Sequence, residues 1–273
     1  MSPERDDGGV PRPATRRIPS PYLESPRRRR VAGFLAEAAP EEIRGCFVPL
    51  LDGGSAAIAM LQRHPEGWFG FSSPNPDVVA VWETVRDDVD GLIAGIQGLV
   101  AGHDPARFAA VCDQTVESVE RMTATERAAR FVYLRGTARI GADGEPLQRF
   151  DAAEYGRDTV AFDVAGLRAL AELLRSRDVA ISVRGLFEVL AEVGEDDVVL
   201  LDPPAESRDA RELRSFVGAV AAKGAGLVAS DLGDGFYAGW PGLVRLAESP
   251  DDEPIWVNTV LQRARPAAAR REW

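Results

Sequence analysis

The stretch Val198-Val-Leu-Leu-Asp-Pro-Pro-Ala205 decides the fold of this chain. Four consecutive apolar residues followed by turn-forming residues predict a strand that is buried on both faces, which is typical of the centre of a parallel sheet. Asp202, Pro203 and Pro204 then follow the strand at the carboxyl edge of the sheet. The same three residues are also a common way to end a strand in a turn, so alone they do not identify a site.

The segment Phe47-Val-Pro-Leu-Leu-Asp-Gly-Gly-Ser55 predicts another strand of the same sheet, followed by a glycine turn. A helix over residues 56–63 and a strand over residues 68–71 come next. Strand, glycine turn, helix and strand within about 30 residues form the opening unit of a parallel α/β sheet. The other expected elements are helices over 78–100, 105–122, 126–134, 164–175 and 210–223, strands over 180–183 and 227–230, and a hairpin-like pair around 254–261.

The composition limits the classes of protein that the chain can belong to. Its 273 residues, 45% of them hydrophobic, are enough for one large domain or one domain with a small insert. The net charge of −11 opposes nucleic-acid binding, although residues 1–30 hold eight arginines against four acidic residues. Two cysteines and two histidines suggest neither a disulfide framework nor a metal site. Without an apolar run of about 18 residues or a signal peptide, we expect a cytoplasmic protein outside the membrane.

Five segments match the motifs of one known family. The segment ending in Asp202-Pro-Pro-Ala205 resembles an Asp-Pro-Pro-Tyr signature, and the segment Phe47 to Ser55 resembles a Glu-Pro-Phe-x-Gly-x-Gly-Ser turn. Ser72-Ser-Pro-Asn-Pro-Asp-Val-Val79 is similar to Asn-Asp-x-Asn-Pro-Asp-Leu-Val. Leu23-Glu-Ser-Pro-Arg-Arg28 stands in place of Trp-Ala-Gly-Gly-Lys-Arg, and Arg127-Ala-Ala-Arg-Phe-Val-Tyr-Leu-Arg135 is similar to a helix that leads into Asn-Arg-Thr. By the order and spacing of these segments along the chain, over about residues 21–260, the chain resembles the Dam-like adenine-N6 DNA methyltransferases.

The resemblance implies a fold and a division into domains. The fold is α/β, the Rossmann-like S-adenosylmethionine-dependent methyltransferase fold with a helical insert. Residues 21–84 and 179–263 would form the Rossmann-like domain, and residues 85–178 the helical insert that recognises the target. Residues 1–20 would be a disordered lead-in and residues 264–273 a frayed tail. Enzymes of this family flip adenine out of the duplex, because its exocyclic amine cannot be reached while the base is stacked.

The resemblance also assigns roles to individual residues. Asp202, Pro203 and Pro204 would be catalytic, because a carboxylate and a rigidly held carbonyl at the amine polarise its lone pair toward the methyl group. The residues assigned to S-adenosylmethionine are Pro49, Asp52, Gly53, Gly54, Ser73 and Asn75. The residues assigned to the substrate are Ala205, Arg27, Arg28, Arg135 and Asp231.

Four departures from the family pattern fall in the two pockets. Ser25-Pro26 replaces two glycines, and Asp52 replaces the first glycine of the turn, where a side chain crowds the cofactor. Ser73 replaces the acidic residue that holds the ribose hydroxyls, which lowers affinity by about 1–3 kcal/mol. Ala205 replaces the aromatic residue that stacks on the base, a loss of about 1–3 kcal/mol.

Three hypotheses about function follow from these departures. The first is an active S-adenosylmethionine-dependent DNA adenine methyltransferase, and the second is a catalytically impaired pseudo-methyltransferase that binds DNA or protein. The third is a related base-modifying enzyme that uses the same cleft with another donor. The four losses favour the second hypothesis, and the acidic surface fits a protein partner better than bare duplex.

Overall fold

A seven-stranded sheet forms the centre of the protein in the computed structural model, which describes residues 17–140, 150–160, 162–204, 207, 209–231, 235–248 and 254–264. Within these ranges the strands are β1 (Gly45–Val48), β2 (Trp68–Ser73), β3 (Asp178–Val183), β4 (Asp197–Leu201), β5 (Gly226–Ser230), β6 (Leu243–Glu248) and β7 (Pro254–Asn258). The predictions for residues 1–16, for Ala205 and for residues 265–273 lie outside the described part of the chain.

Helices connect the strands. They are α1 (Pro26–Ala38), α2 (Ser55–Arg63), α3 (Pro76–Asp87), α4 (Val89–Val100), α5 (Pro105–Cys112), α6 (Val116–Glu120), α7 (Ala124–Thr137), α8 (Val164–Arg175), α9 (Ala210–Ala222) and α10 (Thr259–Ala264). Three of them begin with a capping side chain followed by a proline. Proline occupies the first turn of α1, α3 and α5, and the side chain before it accepts a hydrogen bond from a backbone N–H of that turn.

The strand order is β3-β2-β1-β4-β5-β7-β6. Strands β1 to β5 pair in parallel, whereas β7 pairs antiparallel with both β5 and β6. The predicted α/β class is therefore confirmed, and the order is compatible with a Rossmann-like sheet. The prediction for β4 is also confirmed, because it lies between β1 and β5 and all five of its residues are buried.

Both faces of the sheet are covered by helices. Val198 and Leu200 of β4 point into one core, which also contains residues of α1, α2, α3 and α8. Val199 and Leu201 point into a second core, which contains residues of α9. This alternation follows from the two-residue period of a strand, and burial on both sides explains why β4 has no polar positions between Val198 and Leu201.

Three predicted elements are divided or assigned differently in the structure. The helix expected over residues 78–100 is divided at Asp88, whose carboxylate accepts a hydrogen bond from the N–H of Gly91 (3.1 Å) and so begins α4. The helix expected over residues 105–122 is divided into α5 and α6, and Thr115 caps the second. The hairpin expected around residues 254–261 is formed by β6 and β7, while residues 259–264 are helical.

The helices α3 to α8 lie between β2 and β3 in sequence. Helices α4 and α7 approach closely at Gly95, where an added Cβ would lie 2.8 Å from the Cβ of Ala129. Helix α7 also contacts α3, which follows β2 directly, so the helical segment is attached to the sheet through α3. The predicted domain boundaries at residues 84 and 179 stay predictions.

Candidate functional site

The turn after β1 and the loop after β4 lie side by side at the carboxyl edge of the sheet. Their strands are parallel neighbours, with Gly45 opposite Asp197 and Phe47 opposite Val199. A pocket of about 240 Å³ lies between them, and its walls include Asp52 from the first turn and Pro204 from the second. The segments predicted to hold the cofactor and to perform catalysis therefore border one cleft.

The glycine turn is shaped by a tryptophan. Gly54 has a φ of 71°, and an added Cβ would lie 2.3 Å from a ring carbon of Trp82. The indole Nε1 of Trp82 donates a hydrogen bond to the backbone oxygen of Asp52 (2.9 Å). Both the left-handed conformation and the packing thus require glycine at position 54. Pro49 lies in the same turn and is buried.

Glu24 lies directly over Gly53. An added Cβ at Gly53 would be 2.9 Å from the Cβ, the Cδ and one carboxylate oxygen of Glu24. The Glu24 carboxylate accepts hydrogen bonds from the N–H of Ser55 (3.4 Å) and from its hydroxyl. The first turn of α2 is a favourable place for an anion, because its N–H groups and the helix dipole point toward it. The side chain of Glu24 occupies that place, with only 3% of the residue exposed.

The surroundings of Glu24 shift its acidity. Burial raises the pKa of its carboxyl to about 7, and the negative charges of Asp202 and Asp52 act in the same direction. The hydrogen bond from Ser55 and the positive charge of Arg28 lower the pKa but do not offset burial. Near neutral pH the protonated and the ionised forms of the Glu24 carboxyl are therefore both populated.

Asp52 is held by two partners inside the protein. Its carboxylate accepts a hydrogen bond from the hydroxyl of Tyr22 (2.9 Å). Each of its two oxygens also lies 3.3 Å from Nη2 of Arg135. The Arg135 side chain is 1% exposed and reaches the turn from α7. Burial, followed by the charge of Asp52, raises the pKa of Tyr22 well above its ordinary value, so the hydroxyl stays protonated and donates.

Arg28 binds the loop after β4. Its guanidinium donates to the backbone oxygens of Asp202 (3.2 Å) and Pro203 (2.7 Å), and it lies 3.4 Å from the Asp202 carboxylate. The other oxygen of that carboxylate accepts a hydrogen bond from the hydroxyl of Ser230, at the end of β5. The acceptors that the resemblance assigns to a substrate amine therefore already have donors from the protein itself.

Ser73 and Asn75 form the third wall of the cleft. Ser73 ends β2 and is buried, and its hydroxyl oxygen accepts a hydrogen bond from the N–H of Asn75 (3.3 Å). The side chain of Asn75 caps α3 by accepting from the N–H of Asp77 (2.9 Å). Asp77 in turn forms an ion pair with Arg127 of α7. Ser73 thus faces the pocket from a fixed position.

The remaining predicted substrate residues are distributed differently. Asp231 is buried, and its carboxylate accepts hydrogen bonds from the N–H of Phe236 (3.1 Å) and from Nε1 of Trp256 (2.9 Å). It therefore ties β7 and the segment before β6 to the end of β5. Arg27 lies in the first turn of α1 and is partly exposed. Arg28 and Arg135 are buried and form ion pairs with Asp202 and Asp52.

Sequence reasoning assigned no role to Tyr22, Glu24, Ser55 or Ser230. Glu24 belongs to the segment from Leu23 to Arg28 that resembles a family motif, and this resemblance is the signal in the sequence that points to its position. Tyr22 and Ser230 make their contacts with Asp52 and Asp202 across 30 and 28 residues of chain, which no local spacing indicates.

The described residues bring together no group of three His, Cys, Asp or Glu side chains that could hold a metal ion. In the same ranges, no helix combines the length and apolar character that crossing a bilayer requires. No family model and no curated protein matches the sequence.

Proposed function

We propose that this protein is a divergent relative of the Dam-like adenine-N6 DNA methyltransferases that has lost methyl transfer and acts as a non-catalytic binding module. The strand order supports this relationship. In the methyltransferase form of the Rossmann-like fold, the seventh strand is antiparallel and lies between the fifth and the sixth, as β7 does here. The pocket between the turn after β1 and the loop after β4, which Asp52 and Pro204 border, supports it as well.

The main support for the proposed loss of activity is the position of Glu24 over Gly53. In this kind of fold the glycine turn after the first strand lets a cofactor approach the backbone. Glu24 fills that space, and its carboxylate takes the donors of Ser55 at the start of α2. The residues present therefore do not fit S-adenosylmethionine, whose amino-acid end needs this part of the cleft.

The catalytic loop supports the same conclusion. A base amine could reach the carbonyl of Pro203 and the carboxylate of Asp202 only by displacing Arg28, which contacts both. Arg28 is 2% exposed, and its removal from this position would leave buried acceptors without their charged donor. The cost of that displacement opposes the formation of a productive complex.

The charge distribution favours a protein partner over duplex DNA. Two of the arginines assigned to DNA, Arg28 and Arg135, are buried in ion pairs with Asp202 and Asp52. They cannot neutralise phosphates, and the net charge of the chain is −11. Phosphate contacts contribute most of the affinity for nucleic acid, so we assign the binding function to a protein partner.

Calorimetry and methyl-transfer assays test the loss of activity. We expect the wild-type protein to show no saturable binding of S-adenosylmethionine at concentrations up to about 1 mM, and no transfer of labelled methyl groups to adenine in duplex DNA. Binding tighter than about 100 μM together with methylated adenine would overturn the proposal.

Fluorescence anisotropy with a labelled duplex tests the choice of partner. We expect no saturable binding at about 150 mM salt. A dissociation constant below about 1 μM, with a steep loss of affinity as salt is raised, would identify DNA as the partner and overturn the assignment to protein.

A further inference from the structure

Strand β3 is the first strand in the order of the sheet, and its outer side is accessible. In the part of the chain that the structure describes, β3 pairs with β2 alone. Its residues are exposed or partly exposed, whereas every residue of the central strands β1, β4 and β5 is buried. Val183, at the end of β3, is 53% exposed. The edge of a sheet is a template on which another strand can pair.

The strand at the other end of the order, β6, is less regular. Its pairing with β7 is interrupted between Arg245 and Ala247. Irregularities of this kind twist an edge and discourage further pairing. The pairing of β3 with β2 runs without a shift from Asp178 to Val183. Of these two strands, β3 is therefore the one suited to a further partner strand.

Three residues of β3 direct their backbone groups away from the sheet. The N–H of Arg184 donates to the backbone oxygen of Ser73 (3.1 Å), so Arg184 and every second residue before it face β2. The residues between them therefore present their N–H and C=O groups at the open edge. These residues are Val179, Ile181 and Val183.

The side chains of β3 form an apolar face and a polar face. Val179 and Ile181 pack against the core that contains residues of α3 and α8. Asp178 and Arg184 belong to the opposite face, because each lies three positions from Ile181. Asp178 is exposed, and the side chain of Arg184 is 36% exposed and pairs with Glu192. The polar face therefore has a negative charge at one end and a positive charge at the other.

The sequence of β3 is self-complementary about Ile181. When two identical strands pair antiparallel about a residue, that residue faces its own copy, and apolar side chains stay on one face. With Ile181 at the centre, the other facing pairs are Val179 with Val183, Ala180 with Ser182, and Asp178 with Arg184. Both ends of the pairing then join opposite charges. A pairing centred on Ala180 or Ser182 would place neither charge opposite the other.

We propose that a second copy of this chain pairs antiparallel with β3 about a twofold axis at Ile181, so that the two sheets become one. The outward residues supply two backbone hydrogen bonds at each facing pair that they form. Asp178 and Arg184 meet at the pairs without backbone hydrogen bonds, where facing side chains are closest. This inference is independent of the proposed function, because it uses none of the residues assigned to the cleft.

The contact of Arg86 with this edge is compatible with the pairing. Its guanidinium donates to the outward oxygen of Val179 (3.2 Å). A carbonyl oxygen has two lone pairs, so this oxygen can also accept a hydrogen bond from the N–H of Val183 in the second copy.

Sedimentation equilibrium tests the pairing. We expect the wild-type protein at about 100 μM to be mostly a dimer of the 29.5 kDa chain. Val183→Pro removes an outward N–H and no hydrogen bond to β2, so it should weaken dimerisation at least about tenfold. Val183→Thr keeps the N–H and the branched shape, and should stay within about threefold of the wild type.

Reversal of the two charges tests the register. The variants are made in a Glu192→Gln background, which removes the partner of Arg184 within the chain and should itself dimerise like the wild type. Asp178→Arg and Arg184→Asp should each weaken the dimer at least about tenfold, because like charges then face each other at both ends. The two reversals together restore opposite charges, so the dimer should recover to within about threefold of the Glu192→Gln protein.

Three results would overturn the inference. They are a monomer at about 100 μM, wild-type dimerisation of Val183→Pro or of the single charge reversals, and a double reversal that does not recover. Circular dichroism checks that each variant folds. If Val183→Pro does not fold, the charge reversals still decide, because Asp178 and Arg184 lie outside the core.

Discussion

The guanidinium of Arg135 lies against the carboxylate of Asp52, with Nη2 at 3.3 Å from each carboxylate oxygen. The two residues are 83 positions apart in the chain, on α7 and in the turn after β1. Both are buried, so the ion pair joins the helical segment to the sheet where water cannot replace either partner. Asp52 and Arg135 therefore act as one unit, although the sequence presents them as separate features.

A double-mutant cycle should reveal this coupling. We expect Asp52→Asn and Arg135→Met each to lower the free energy of unfolding by about 3–5 kcal/mol, because each leaves a buried group without its partner. In urea unfolding, the double variant should lose about 0.5–3 kcal/mol less of the free energy of unfolding than the two single variants lose together. As a control, Asp52→Asn combined with Arg168→Met should be additive, since Arg168 lies on α8 and pairs with Asp90 at the surface. Additivity of the first pair would contradict the coupling.

Arg28 should contribute more to stability than its neighbour in the same run of arginines. Arg28→Ala removes the donor to the Asp202 carboxylate and to two backbone oxygens, so we expect a loss of about 3–5 kcal/mol. Arg28→Lys should recover only part of it, because an ammonium group cannot reproduce the planar arrangement of donors. Arg29→Ala, at an exposed position of α1, should change the free energy of unfolding by less than about 0.5 kcal/mol. Equal losses at both positions in urea unfolding would refute this assignment.

Glu24 should make the protein less stable as pH rises. The folded protein holds its proton more tightly than the unfolded chain, whose carboxyl has a pKa of 4.5, because the folded pKa is about 7. Between these values the folded state binds more protons, so the free energy of unfolding falls as pH rises from 4.5 to about 7, by about 3 kcal/mol in total.

Urea unfolding across that pH range measures the effect of Glu24. Glu24→Gln has no proton to lose, so its stability should fall less between pH 4.5 and 7 than that of the wild type. Glu37→Gln, at an exposed position of α1, should keep the wild-type pH dependence. The same pH dependence in Glu24→Gln and wild type would exclude Glu24 as its source.

Two glycines of α4 should respond oppositely to alanine. An added Cβ at Gly95 would lie 2.8 Å from the Cβ of Ala129, so Gly95→Ala must push α4 and α7 apart. At Gly98 nothing lies within 4 Å of the added atom, so Gly98→Ala should stabilise by about 0.5–1 kcal/mol through helix propensity. Thermal unfolding should give a lower melting temperature for Gly95→Ala than for Gly98→Ala. The reverse order would mean that α4 does not pack on α7 at Gly95.

The elements that sequence predicts best are those with a single physical signal. Residues 198–201 of strand β4 are all apolar, and Asp202 and two prolines follow the strand, so its place at the centre of the sheet is predicted from burial alone. Gly53 and Gly54 predict the glycine turn, and the structure explains it by the conformation of Gly54 and by its contact with Trp82. Both signals lie within a few residues of the feature that they determine.

The elements that sequence predicts poorly depend on competing or distant interactions. Apolar residues continue at helical spacing from Val85 to Leu92, so periodicity predicts one helix, whereas the Asp88 side chain starts a second one. Apolar and polar residues alternate too weakly in β6 for the sequence to distinguish a strand from a helix. The segment is a strand because it pairs with β7. The contact of Glu24 with Ser55 spans 31 residues and follows from the tertiary fold.

The insertion of β7 between β5 and β6 imposes an order on the growth of the sheet. During synthesis β6 leaves the ribosome first, yet it has no strand to pair with until β7 has followed it and joined β5. The sheet can therefore extend beyond β5 only after β7 has been synthesised, because β7 is the strand that pairs with both β5 and β6. Removal of residues 254–258 would take away the strand that pairs with β6 and would expose the edge of β5.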